Sequence, residues 1–322
     1  MGWISRAAGA AVLLCISAAA TAQGAYPNKP VRIVVPYGVG GASDVLARVL
    51  GARLQNVWGQ GVVVENRTGA SGNIGTEMVV KALPDGYTLV LQNVTVVINP
   101  GFLAQVPFDV QRDLTPIALL GATPKMLAVH PDLKVANLKD LTDYARANPG
   151  RLAYGSCGAG TPQHLAMELY LSQAGARMVH TPYKGCAPAL TDLLGGQIPL
   201  AMLSANMIAP HLASGRLKGL AVTSKKRYRL APDVPSFDEL GYRDFDLRTW
   251  YALMGPAALP KEVVDKLYAD TVAALNDPEV HAKLLTAGVE DLRGDATALS
   301  ALIQADQAKY TQLIKRAHIK AE

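Results

Sequence analysis

The chain has 322 residues, half of them hydrophobic and 18% charged. That balance excludes an intrinsically disordered protein and suits a packed one with room for two lobes of ~150 residues. The formal net charge is +5, and Lys225-Lys226-Arg227-Tyr228-Arg229 is its one dense basic cluster. Without aromatic interleaving or a nucleic-acid module, that cluster reads as a solvated loop.

The first residues read as an export signal. Arg6 gives a positive start, Ala7 to Ala20 form a short apolar run, and Ala20-Thr21-Ala22 is a small-x-small cleavage site. Residues 1–22 are therefore expected to be a signal peptide, with the mature chain beginning at Gln23. The run is too short for a membrane span of ~20 residues. Cys15 raises a lipoprotein anchor, but Leu14 before it is too large for that processing site. The expected product is a soluble protein exported to the periplasm.

From Val31 a strand, a glycine turn and a helix follow in quick succession. Val31, Ile33, Val34 and Val35 lead to Pro36, then Gly38, Gly40 and Gly41, then apolar residues at Val45, Leu46, Val49, Leu50 and Leu54 in helical spacing. Such a unit aims backbone N–H groups and the positive end of a helix dipole at one point, which attracts anions. No Lys-Ser or Lys-Thr pair follows the glycines, so the nucleotide-hydrolase phosphate loop is absent and a small carboxylate fits better.

The pattern recurs. Val62–Glu65 leads through NRTGASG into Asn73–Leu83, and PDG at Pro84–Gly86 turns into a strand at Tyr87–Leu91. Leu152–Ser156 leads through CGAGT into a helix opening at Pro162, and Met178–Thr181 leads through PYKGCAP into Ala189–Leu194. Leu200–Leu203 and Gly219–Thr223 are further strands. This alternation predicts an α/β fold with mostly parallel sheets. The tail is instead helical, with runs at Lys261–Leu275, Pro278–Ala287 and Thr297–Lys315. Packed back on the first lobe, it makes that lobe discontinuous: residues 23–124 plus 249–322 form lobe 1 and 125–248 form lobe 2. Met126–Val129 and Trp250–Gly255 fall where crossing strands belong.

Enzyme signatures are missing. Gly69–Gly72 and Gly155–Gly158 do not match the G-x-S-x-G elbow, and the six histidines (His130, His164, His180, His211, His281, His318) never take metal-ligand spacing. Asp44 and Glu65 read as a helix cap and a strand end in preference to an acid/base pair. Binding is the better reading: Gly40, Gly41 and Ser43 at the first loop, Ala70, Ser71, Gly72 and Asn73 at the second, and Ser156, Gly158, Thr161 and His164 on the second lobe. Lys184, beside Tyr183 and Gly185, offers a full positive charge or a solvated group. Cys157 and Cys186 each follow a strand-like run and survive maturation, which favours a disulfide in an oxidising compartment if those strands are neighbours. The alternative is a free reactive Cys157 with His164 as its base.

These residues also carry a resemblance. YPNKPVRIVVPYGVGGASDVLAR, VVVENRTGASGNIGTE, PDGYTL, YGSCGAGTPQHLAMEL, VHTPYKGCAPALTDLLGGQIPL, LAVTSKKR and APDVPSFDELGY, in this order from Tyr26 onward, resemble the Bug family. These are periplasmic substrate-binding proteins of tripartite tricarboxylate transporters. The resemblance implies a two-lobed flytrap fold of type II with two crossing strands. It implies a carboxylate held by backbone groups of PYGVGGAS and GASGN, adding Tyr37 and Ala42 to the candidates, with SCGAGT and YKG reading the rest. Membrane permease subunits would be the partner, the receptor a monomer, and no cofactor, metal or chemistry is implied. Val39 and Ala42 depart from the family's usual proline and serine, and QNVTVV at Gln92–Val97 replaces a Ser/Thr/Gly-rich turn. Pro199 and Leu203 stand in place of an acidic pair, with Ser204 the nearest polar group. The far end of the ligand then depends on Gln92, Asn93 and Ser204, and the missing acids disfavour an amine-bearing ligand. A sensory module serving a signalling partner, or a secreted Cys/His hydrolase, are the competing functions.

Overall fold

The computed structural model describes residues 26–316 and 319. The expected signal peptide, Cys15 and His318 lie outside the described residues. Two five-stranded sheets organise the chain. In the first, β1 (Val31–Val35) lies between β2 (Val62–Asn66) and β3 (Thr88–Asn93), and β10 (Thr249–Pro256) separates β3 from β4 (Leu114–Thr123). In the second the order is β7 (Val179–Pro182), β6 (Ala153–Ser156), β8 (Leu200–Ser204), β5 (Lys125–Val129) and β9 (Lys218–Val222).

Neither sheet is mostly parallel, contrary to the sequence expectation. β1 pairs parallel with β2 and β3, but β10 runs antiparallel to both β3 and β4. Likewise β6 pairs parallel with β7 and β8, while β5 runs antiparallel to β8 and β9. The strands that arrive from the other lobe enter against the local direction, and alternation of strands and helices along the sequence carries no sign of that.

Val31, Ile33, Val34 and Val35 are wholly buried, as a central strand covered on both faces requires. Helix α1 (Ala42–Trp58) buries Leu46, Ala47, Leu50 and Leu54 on one stripe. Its Gly51 lets the helix approach β2, since a Cβ there would stand 3.2 Å from Val62 Cγ1. Gly59, in the left-handed conformation at φ 62°, closes the helix by donating to the Gln55 carbonyl. α2 (Asn73–Val80) follows β2, and α3 (Thr95–Phe102) follows β3.

After a short helix α4 (Val110–Asp113) and β4, the chain crosses at Pro124 into the second sheet. There α5 (Leu138–Ala147), α6 (Pro162–Ala174) and α7 (Cys186–Leu194) alternate with the strands, and a short α8 (Ala205–Ile208) follows β8. The return at β10 leads to α9 (Lys261–Asn276), α10 (Pro278–Thr286) and α11 (Ala296–Arg316). The tail does pack back on the first sheet's layer: α9 and α10 lie on α1, and α11 lies on α3 and β4. No helix among the described residues is long and apolar enough to cross a membrane.

The two crossings are tied together by a buried lysine. Lys125 has no exposed surface, donates its N–H to Thr223 Oγ1 at 2.9 Å, and gives its ammonium to the Leu247 carbonyl just before β10. Burial pushes its pKa down to about 7, with Asp306 and Asp246 pulling the other way. The basic cluster is also less solvated than its sequence suggests. Tyr228 is buried with its hydroxyl donating to the Gly288 carbonyl at 3.3 Å, and Arg229 Nη2 donates to the Leu285 carbonyl at 3.2 Å. The cluster therefore fastens a second-lobe loop to the C-terminal tail.

Candidate functional site

The parallel halves of both sheets end in loops, and the carboxyl ends of parallel strands are where open α/β lobes bind ligands. On the first sheet β1, β2 and β3 bring together Tyr37 to Ser43, Ala70 to Asn73, and Gln92 with Asn93. On the second, β6, β7 and β8 bring together Ser156 to His164, Tyr183 with Lys184, and Ser204. Among the described residues no hydrogen bond joins the first set to the second. The loops nonetheless approach: Phe102, at the end of α3, lies so close to Gly160 that a Cβ on this glycine would collide with the phenyl ring.

The first-lobe loops are held from below. Tyr37 donates its hydroxyl to Gln92 Oε1 at 3.0 Å, Gln92 Nε2 donates to Thr76 Oγ1 at 2.6 Å, and Thr76 donates to the Gly72 carbonyl at 2.7 Å. Burial raises the Tyr37 phenol well above its usual range, so it stays a donor. Asn93 Nδ2 donates to Ser43 Oγ at 3.3 Å, and Asn99 Nδ2 donates to the Ser71 carbonyl at 3.0 Å and to Asn73 Oδ1 at 2.8 Å. Gln92 is wholly buried with both ends engaged, which makes it a support for the two loops.

Asp44 is not the helix cap that its position suggests. Gly41 occupies the cap position, and no side chain caps the helix. Asp44 lies inside the first turn and reaches back to accept the Gly40 N–H at 2.9 Å, with Asn66 Nδ2 at 2.9 Å and the Arg48 guanidinium also on it. Burial would raise its pKa, but the bonds from Arg48, Gly40 and Asn66 outweigh that and hold the carboxyl below its usual range. The Gly40 amide is thereby committed internally, so the ligand-facing donors of this loop lie at the start of α1.

What remains outward is backbone. Gly38, Val39, Gly40 and Gly41 are exposed, as are Ala70 and Ser71, which adopt left-handed φ values of 46° and 54°. Gly72, at the cap position of α2, likewise has no side chain capping the helix. Both helix starts on this sheet edge thus lack side-chain caps, but at α2 Gly72 and Ile74 donate to the Gly69 carbonyl and Asn73 to that of Ala70, so the first-turn N–H groups left to take an anion are those of α1.

The second-lobe loop is tied down. Cys157 is disulfide-linked to Cys186, joining the start of α7 to the loop after β6. Gly158 donates its N–H to Ser156 Oγ at 3.1 Å, Gly160 donates to His164 Nδ1 at 3.1 Å, and Gly185 donates to the Cys157 carbonyl at 3.1 Å. Thr161 caps α6, accepting from the His164 N–H and donating to the Gly158 carbonyl at 2.7 Å. Ser156 is wholly buried and His164 nearly so. Tyr183 turns its hydroxyl onto Asp192 at 2.7 Å, whereas Lys184 is exposed. Ser204 Oγ accepts from buried Gln163 Nε2 at 3.3 Å. With its sulfur bonded to Cys186, Cys157 is no free nucleophile, and His164 Nδ1 is engaged by the loop. Among the described residues no group of histidine, cysteine or acidic side chains could hold a metal ion.

Thr76, Asn99 and Gln163 escape sequence reasoning because each lies within a helix, and Asn99 and Gln163 act on residues far away in the chain. Their signal is faint: a polar residue on an otherwise apolar helical stripe.

Two α/β lobes joined by crossing strands, with glycine loops at facing sheet edges, define the architecture of periplasmic solute-binding proteins. The sequence profile described as "Tripartite tricarboxylate transporter family receptor" matches residues 46–319, and the chain belongs to that family. It is 37% identical over 249 residues to Protein BugT of Bordetella pertussis, covering 77% of this chain and 76% of that protein. Its fold is similar to that of Rpa4515 of R. palustris, solved with adipate, at a TM-score of 0.81 or above: 0.82, with 32% identity, 92% of this chain and 99% of that one. MatC of Rhodopseudomonas palustris, solved with bound malate, is similar at a TM-score of 0.78 and 26% identity, over 90% of this chain and 99% or more of that one: 100%.

Proposed function

We propose that this receptor captures a small organic carboxylate in the periplasm and hands it to the membrane permease subunits of a tripartite tricarboxylate transporter, making and breaking no bond. The observation that carries the reading is the start of α1, which opens without a side-chain cap beside the exposed backbone of Gly38 to Gly41 at one sheet edge. Partial positive charge at that point suits a carboxylate. The relatives solved with adipate and with malate support the same ligand class.

In this reading Gly41, Ala42, Ser43, Ser71, Gly72 and Asn73 hold the carboxylate on lobe 1, residues 23–124 and 249–322. Ser156, Gly158, Thr161, Tyr183, Lys184 and Ser204 form the facing edge on lobe 2, residues 125–248. The candidate residues include no aspartate or glutamate, which favours a ligand without an amine. Closure about the crossing strands follows from the ligand's greater affinity for the closed state. The receptor works as a monomer, exported by a signal peptide cleaved after Ala22.

The test is a thermal-shift screen of carboxylates, the matching amides, neutral sugars and metal ions on protein refolded free of ligand. A carboxylate present at 100 times its dissociation constant should add about 2.7 kcal/mol of stability. Stabilisation by sugars or metals with no carboxylate response would refute the assignment.

A further inference from the structure

Two imidazoles lie beneath the second-lobe loop, stacked face to face. His164, in the first turn of α6, and His180, on β7, have ring centroids 3.8 Å apart and planes 13° from parallel. The Tyr154 ring, from β6, lies beside both, its centroid 4.9 Å from His180 and 6.4 Å from His164. The hydrogen bonds of the pair all end on one turn. His164 Nδ1 accepts the Gly160 N–H at 3.1 Å. His180 Nε2 stands 2.7 Å from Ser156 Oγ, and that hydroxyl accepts the Gly158 N–H at 3.1 Å.

An imidazole nitrogen that accepts a hydrogen bond carries no proton, so His164 is neutral with its proton on Nε2. Protonating Nδ1 would break the bond to Gly160 and set a cation flat against a second imidazole. The charged neighbour available to compensate is Glu168, on the same helix, but its carboxylate is 3.9 Å from His164 Nε2 and already accepts the Tyr154 hydroxyl at 2.5 Å. The turn itself has φ values of +135° at Gly158 and +68° at Gly160, which glycine adopts as readily as negative φ, so its backbone alone does not fix its shape.

We propose that His164 and His180 are a neutral positioning pair that sets the shape of the loop Ser156–Thr161, and through it the second-lobe half of the binding site, without touching the ligand. The second part rests on the reading of that loop as part of the site. Burial supports the pair's neutrality: it pushes the His164 pKa down to about 3, helped by His180, and the His180 pKa down to about 4.

The test uses the purified, oxidised protein. Long-range ¹⁵N–¹H correlation spectra should find His164 in the Nε2–H form at pH 7.5 and still neutral at pH 5.5. Exchange of the Gly160 amide should accelerate at least tenfold in His164→Leu, which fills the space without an acceptor, and return close to the wild-type rate in His164→Asn, whose carbonyl oxygen can replace Nδ1. Gly158 should respond in the same way to His180→Leu and His180→Gln. A His164 protonated on Nδ1 at pH 7.5, or equal exchange in the Leu and Asn variants, would overturn the proposal. The wild-type spectra decide it even where a Leu variant fails to fold. A second arm titrates adipate and malate as probes. Affinity at least tenfold weaker in the loosened variants supports both parts. A loosened loop with unchanged affinity upholds the pair and removes the loop from the site.

Discussion

The two loop-bearing edges are built on opposite plans. On the first lobe the turns before α1 and α2 are exposed, lack side-chain caps and are braced from behind by Gln92, Thr76, Asn93 and Asn99. On the second lobe the turn before α6 is capped by Thr161, closed by the disulfide from Cys157, and has its Gly158 and Gly160 amides already bonded. Glycine loops that look alike in sequence therefore differ in what they can still offer. The first lobe offers the backbone N–H groups and helix dipole at the start of α1 to an anion, and the second offers a fixed wall.

That contrast can be broken at either end. The largest stability effect is expected from Cys157→Ser with Cys186→Ser. The bond spans 29 residues, and losing it should cost about 3–4 kcal/mol in urea unfolding. Alkylation of the denatured, unreduced wild type should find no free thiol at these positions. A double variant as stable as wild type would mean that the second lobe owes its rigidity elsewhere.

Next comes Asp44→Ala on the first lobe, which strands Gly40, Asn66 and Arg48. We expect about 2 kcal/mol of destabilisation and a weaker carboxylate affinity. Thr161→Ala should cost about 1 kcal/mol through the lost cap of α6. An unchanged melting midpoint would show that the second-lobe turn does not depend on its cap.

The gentlest test is pH. His164 and His180 both have folded pKa values depressed below the ordinary value of 6.5, to about 3 and about 4. The unfolded chain therefore binds protons that the native state refuses, so their contribution is flat above the ordinary value and erodes as pH falls from there toward about 4 for His180 and about 3 for His164. Lys125 acts in the alkaline range: its pKa falls from 10.5 unfolded to about 7 folded, so stability should rise with pH across that window. Lys125→Met should flatten the alkaline slope in melting curves and leave the acidic one alone.

Much of this design was legible in the residues because it is local. A run of β-branched residues, a glycine turn and a helical stripe are contiguous, so the units at Val31–Leu50 and Leu152–Ala174 could be placed directly. β4 could not, because Pro116 and Gly121 interrupt its apolar run; the proline is tolerated because β4 is an edge strand. α3 was hidden by Pro100 and Gly101 inside it. The antiparallel entry of β5 and β10 depends on a partner far away in the chain. The sequence placed the site's glycines but not their occupancy: whether an amide is spent depends on how Asp44 turns back onto Gly40 and His164 onto Gly160.

The central claim is that the start of α1 receives the ligand's carboxylate. Gly41 is the place to test it, since its φ of −74° suits any residue and a Cβ there would meet only the Gly38 carbonyl, at 3.5 Å. Calorimetric titration of adipate and its diamide into wild type and Gly41→Val is the direct measurement. The acid should bind wild type, the diamide should bind at least tenfold more weakly, and the variant should lose at least a hundredfold in affinity at an unchanged melting temperature. Equal affinity of wild type and variant for a carboxylate that binds would contradict it.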